Sequence, residues 1–224
     1  MNPRAFVVRM TGCLLLGLWA GCSPAPSDAP RVLEPPPSAE QVRTAAELRG
    51  REIVGQAGRA LSGVLLQAIE QGGYTNAFPL CSMQALPLTA SLAQAHGVQL
   101  RRVSHRPRNE ANRASAQEAA IIGRYVDLLE QGVQPEPEVM LSGTGPAVFY
   151  APIVIGTNLC LECHGVPEID LRPEVQPLIA QLYPRDEATG FKLGELRGLW
   201  RVDFSRGPQP AMSDPRELGR PGEP

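Results

Sequence analysis

The residues best suited to chemistry are Cys160, Cys163 and His164, in the run Cys160-Leu161-Glu162-Cys163-His164. C-x-x-C-H is the attachment pattern of c-type haem. Two thiols three positions apart reach the two vinyl groups of one porphyrin as thioethers, and the adjacent imidazole then sits beneath the iron as an axial ligand. The pattern predicts one covalent haem c with His164 as a metal ligand. Two other chemistries use the same residue types. With Cys81, these three would make a tetrahedral zinc set and hence a zinc-held structural module. However, neighbouring cysteine and histidine rarely serve one zinc, and no second C-x-x-C is present. A thiol redox pair also uses C-x-x-C, but the strand-then-helix setting of a thioredoxin is not evident around this one.

A thioether-bound haem is built after export, and the N-terminus reads as an export signal. Arg4 and Arg9 precede a short apolar run, Cys13 to Ala20, followed by Gly21 and Cys22. Ala20 and Gly21 before Cys22 resemble a bacterial lipobox, with Trp19 where leucine is usual. Residues 1–21 are therefore expected to be a lipoprotein signal peptide. A lipid on Cys22 would hold the chain in the periplasm at a Gram-negative membrane. Secretion with cleavage nearby is the alternative. Ser23, rather than an aspartate, follows Cys22, which favours the outer membrane. Residues 22–37 form a proline-rich tether with a reach of roughly 50 Å at about 3.1 Å per residue. The exported domain keeps three of the five cysteines, Cys81, Cys160 and Cys163. An odd number fits no disulfide framework.

Composition narrows the classes further. Of 224 residues, 43% are hydrophobic and 20% charged, enough for one ordinary domain with a core. Arginine outnumbers lysine 20 to 1, yet the net charge is −2, which argues against a nucleic-acid partner. No apolar run reaches the roughly 18 residues of a spanning helix.

The elements that must position the motif are legible from pattern. Ser38 and Gln41 form a capping box for a long helix that ends at Gly72-Gly73, and Pro79 opens a second helix, bent at Pro87 and closed by His96-Gly97. A strand covers 98–103. Ser115 and Glu118 cap an amphipathic helix through Ile121, Ile122, Tyr125 and Leu129. Strands follow at 139–141 and 147–155, with Pro152 placing the latter at an edge or bulge. A helical piece covers about 174–182. In the last strand, 196–204, Leu196, Trp200, Val202 and Phe204 alternate with Arg197, Leu199, Arg201 and Asp203, the period of a half-buried strand. The pattern predicts an α+β domain over 38–204 with helices on one side of an antiparallel sheet. Residues 205–224 are expected to be a disordered tail.

Three stretches carry a family resemblance: FPLCSMQALP around Cys81, RRVSHRPRNEANRAS from Arg101 to Ser115, and CLECHG followed by YPRDEATGFKLGELRG from Tyr183 to Gly198. They resemble the DUF3365, or Tll0287-like, family of c-type haem proteins with a PAS-like fold. Arg102, Ser104, Arg108, Asn109 and Asn112 match the family's middle motif. Glu110 departs from it, standing where proline is common. The resemblance implies a PAS-like antiparallel sheet with a long N-terminal helix and flanking helices, one covalent haem, and Cys81 approaching the iron opposite His164. On residue type alone Cys81 is equally a buried apolar thiol, and Met83, His96, His105 and Met140 compete as the second metal ligand. Arg102 and Arg108 are the candidates for binding the haem propionates, with Ser104 and Asn109 as neutral donors. Trp200 and Tyr183 read as core.

No triad, carboxylate pair or phosphate loop is visible in the sequence. The expected role is redox or small-gas sensing, with CO or NO as ligand, or low-potential electron transfer to a separate redox or signalling protein. A haem enzyme of peroxidase or nitrogen-oxide reductase type would need an acid–base group beside an open iron position, and His105 is its imidazole candidate.

Overall fold

The computed structural model describes residues 36–141 and 146–204, apart from the side chains of residues 81 and 82. The expected signal peptide, Cys22, nearly all of the tether and the 205–224 tail lie outside the described residues. No described helix is long and apolar enough to cross a membrane.

Helix α1, Ala39–His96, holds 58 residues and starts at the capping box, where Ser38 Oγ accepts from the Gln41 amide and Gln41 Oε1 accepts from the Ser38 amide. It is two arms joined at Gly72 and Gly73. Gly73 has φ 68°, a left-handed conformation open to glycine at little cost. Asn76 Nδ2 donates to the Ala68 carbonyl across the break, meeting an acceptor that the interrupted ladder leaves free. The second arm lies back along the first: His96 Nε2 pairs with Gln56 Oε1 at 2.9 Å, and Arg49 donates to the His96 carbonyl. This corrects the expected second start. Helix resumes directly after Gly73, not at Pro79, and both Pro79 and Pro87 lie inside the second arm. Each removes one ladder bond, and packing of the arm offsets the loss. Gly97, in the left-handed conformation, closes it as expected.

Strands β1 (Gln99–Val103), β2 (Glu138–Leu141), β3 (Ala147–Val154) and β4 (Leu196–Asp203) form one antiparallel sheet in the order β1-β4-β3-β2. Leu100, Val202, Phe149 and Val139 are paired in register across all four strands. That row packs with Ala46, Ile53, Ala57 and Ala93 of both α1 arms. The alternate row, with Val103, Leu199 and Tyr150, packs against Ile121, Ile122 and Tyr125 of α2, Ala116–Glu130. Helices thus cover both faces, not one. Strand β4 is central, and Leu199, grouped by alternation with the polar residues, is fully buried. A strand covered on both sides loses its alternation of polarity. Pro152 belongs to the interior strand β3, past the last residue paired with β2 and one residue before a register shift. Helices α3 (Asn158–His164) and α4 (Val175–Leu182) lie between β3 and β4 in the chain, and α4 packs on Phe78 and Tyr74 of the second arm.

Contact between α1 and the sheet is close at one point. A Cβ on Gly50 would stand 2.3 Å from the Phe149 ring, itself fully buried. Gly50→Ala should therefore lower the unfolding free energy by about 1–2 kcal/mol, overpacking outweighing the helix-propensity gain of about 1 kcal/mol. Urea denaturation measures this, and adding Phe149→Leu should recover part of the loss.

Candidate functional site

The C-x-x-C-H run folds as α3, so Cys160 and Cys163 stand one turn apart on one face and His164 follows. Neither thiol is in a disulfide. All three residues line a cavity of about 360 Å³, within the range of pockets that hold small cofactors. Its walls are mostly apolar: Leu61, Val64 and Leu65 from the first α1 arm, Phe78, Ala85 and Leu88 from the second, and Ile153 to Ile155 from the end of β3. Arg102, Ser104, Arg108, Asn109, Tyr183 and Arg197 supply its polar rim.

Segment 186–191, which has no regular structure, fixes the motif. His164 Nδ1 lies 2.7 Å from the Ala188 carbonyl, so Nδ1 carries the proton and Nε2 keeps its lone pair. The His164 pKa is held well below the usual histidine range, first by burial and then by the charges of Arg108 and Arg197. The ring stays neutral at pH 7, the form a metal ligand needs. The Phe191 amide donates to the His164 carbonyl and the Gly190 amide to the Gly165 carbonyl. Glu162, the second variable residue of the motif, pairs with Arg172. Its carboxylate also bonds Tyr74, whose hydroxyl is pushed up to about 12, chiefly by burial.

Arg108 is a brace. Its Nε donates to Asp186 Oδ1 at 2.8 Å and Nη2 to the Cys163 carbonyl at 2.7 Å, and the two side chains are only 11% and 6% exposed. It lines the cavity as expected of a propionate ligand, but most of its donors point at protein acceptors. Arg102 also lines the cavity, with its guanidinium 5.9 Å over the Trp200 ring. Trp200 belongs to the core, whereas Tyr183 reaches the cavity wall. The Cys81 side chain lies outside the described residues; helix positions a turn before and after it, Phe78 and Ala85, face the cavity. Its four rivals do not line it. Met83 is exposed, His96 bonds Gln56, and Met140 packs on the α2 face with Gln117 at its sulfur. His105 meets the edge of Phe191 at 6.4 Å, and burial lowers its pKa.

Two site residues escape sequence reasoning. Phe191, fully buried, has Arg106 3.9 Å and Arg197 5.4 Å from its ring centre and His164 at its edge. Arg197, read by alternation as a polar position of a half-buried strand, is buried enough that its pKa is pushed down to about 9, with Arg108 and Arg102 adding to the effect. The sole signal for both was their place in the GFKLGELRG stretch.

Among the described residues no group of three or more His, Cys, Asp or Glu side chains is gathered as a metal set. The residues suit instead a flat, largely apolar group that brings its own metal, takes one imidazole ligand, is tethered by two thiols and carries acidic substituents.

A four-stranded antiparallel sheet with a long bent helix on one face and a cavity closed by a C-x-x-C-H helix defines a PAS-like α+β protein. A family model described as Tll0287-like: Tll0287 matches residues 36–205, and the chain belongs to that family. The crystal structure of the cyanobacterial heme-protein Tll0287 is similar in fold, with TM-score 0.53 and 20% identity over 72% of this chain and 98% of that one. No curated protein matches the chain.

Asp186→Asn would leave the largely buried Arg108 charge without its carboxylate. It should lower unfolding stability by about 3 kcal/mol, read by chemical denaturation. A pH effect follows from His164. Its folded pKa is depressed, so below about pH 6.5 the unfolded chain binds the extra proton and stability falls. Protein prepared without cofactor should lose stability between pH 6.5 and 5, and His164→Asn should flatten that decline in thermal melts taken across the range.

Proposed function

We propose that this chain is an exported c-type monohaem protein of the periplasm, anchored through Cys22, that serves redox or small-gas sensing or low-potential electron transfer. One observation carries the reading: both thiols and the imidazole of C-x-x-C-H converge on one apolar cavity, with Nδ1 tied to Ala188 so that Nε2 is the nitrogen left to bind iron. Membership of the Tll0287-like family, and a fold shared with a protein described as a heme-protein, support it.

A haem held here would supply a one-electron iron couple and, where the Cys81 sulfur leaves the iron, a place for a small gas such as CO or NO. Cys160 and Cys163 would hold the haem through thioethers to its vinyl groups, and His164 would offer Nε2, with Ala188 keeping the ring in that tautomer. Cys81 would be the second residue to hold the iron in this reading, supported by the cavity-lining positions on either side of it in α1. A thiolate favours ferric over ferrous iron and so lowers the potential. An enzyme would need an acid–base group at the open iron position, and His105, its candidate, does not line the cavity. That favours carrier or sensor, with a separate redox or signalling protein as partner.

Haem staining of a denaturing gel tests the core of the proposal. The wild-type protein should stain and carry the added mass of one haem, and Cys160→Ala with Cys163→Ala should abolish both. A stained double variant, or an unstained wild type made with the maturation machinery present, defeats it. Cys81→Ala should raise the potential and change the optical and electron-spin spectra; unchanged spectra would return Cys81 to a packing role. Cys22→Ala should move the protein from the membrane to the soluble fraction.

A further inference from the structure

Arg197 and Arg108, both in the cavity wall, differ in how their donors are used. Nη1 donates to Ser104 Oγ at 2.9 Å and to the Arg106 carbonyl at 3.1 Å. Nε is buried with no hydrogen-bond partner. Among the described residues, no carboxylate lies within 4.0 Å of its guanidinium, whereas Arg108 has Asp186 at 2.8 Å. Arg106 spends its donors on the carbonyls of Thr189 and Glu187. A guanidinium presents five N–H groups in a rigid fork, and burying one without a counter-charge is unfavourable. Arg197 and Arg102, on adjacent strands, both line the cavity. Phe191 beside Arg197 offers only the weak compensation of a ring face. Arg197 thus lines the cavity with no carboxylate beside it, and an anion that meets its charge there would come from whatever fills the cavity.

We infer that Arg197 is the carboxylate-recognising residue of the cavity and holds a haem propionate, while Arg108 is a positioning residue that fixes the attachment helix. This rests on the haem reading above. It reassigns the propionate role expected of Arg108 and adds a residue that the strand pattern had placed among polar, outward positions. The same donors would accept a free inorganic anion from solvent, and the experiment must separate the two sources.

The test uses the full haem-loaded chain, with wild type stained and weighed first. Absence of haem there would defeat the functional proposal itself, not this inference. In loaded protein, Arg197→Gln removes a positive charge near the iron and should favour the ferric form. The reduction equilibrium constant should fall at least threefold, about 28 mV at 59 mV per tenfold for one electron. The propionate bending band in the resonance Raman spectrum should shift. Arg197→Lys should restore the potential but not the band, because an ammonium keeps the charge without the fork. If Arg197→Gln does not accumulate, the band shift in Arg197→Lys decides alone. A band and potential unchanged in the variants would overturn the inference. So would a wild-type potential that tracks chloride or phosphate concentration at fixed ionic strength and loses that response in Arg197→Gln, since the anion would then be solvent's.

Discussion

The hydrogen bond from His164 Nδ1 to the Ala188 carbonyl is the constraint on which the rest of the site depends. It chooses one tautomer, and so which nitrogen has a lone pair. A carbonyl can do this only if its own position is fixed, and segment 186–191 is held from several directions. Asp186 is tied to Arg108, Thr189 to Arg106, and the amides of Gly190 and Phe191 donate back into the end of α3. Arg108 closes the loop by bonding Asp186 and the Cys163 carbonyl at once. A segment without helix or strand thereby has several of its backbone groups met by side chains and by the end of α3.

The sheet explains why this can happen next to an apolar cavity. Burial on both faces of β3 and β4 supplies the stability, with α1 on one side and α2 on the other. The two α1 arms are then free to diverge in role. Their ends near Arg49, Gln56 and His96 pack on the sheet, while the parts flanking Gly72 and Gly73 wall the cavity. A break made of two glycines, not a proline, lets the chain reverse with a left-handed residue and keep both arms regular nearly to the turn.

Much of the fold was legible because its signals are local. Capping boxes at Ser38 and Ser115, the Gly97 cap and the paired glycines act within a few residues of themselves, and each helix begins or ends where they stand. The C-x-x-C-H residues were legible for the same reason. Where the reading failed, a long-range contact had replaced the local rule. Pro79 looked like a helix start because its effect on an isolated helix is local, whereas packing of the second arm on the sheet and on α4 holds helix through it. Alternation in β4 implied one wet face, and α2 dries the other. Arg197 was hidden by a local irregularity instead: the register shift beside Gly198 interrupts the period of two, so Leu196 and Leu199 share the α2 face while Arg197 lines the cavity. Phe191, in a run of charged and small residues, carries no local mark of burial.

The arginines show what residue type alone leaves open about a site. Arg108 has the charge, the position and the motif expected for binding a carboxylate on a cofactor, and its Nε and Nη2 donate to Asp186 and to the Cys163 carbonyl. A guanidinium so engaged still contributes field, and so still lowers the His164 pKa, but an anion that takes Nε or Nη2 would have to displace those bonds. Recognition needs donors as well as charge, because a bidentate pair draws its strength from two aligned N–H···O bonds. Arg197, with Ser104 and the Arg106 carbonyl holding its Nη1 in place, has its orientation fixed by the protein, a buried Nε without a partner and no carboxylate beside it. The wall therefore separates two tasks that composition lumps together. One arginine bonds the end of the C-x-x-C-H helix and the segment that fixes it, and another lines the cavity with no carboxylate beside it.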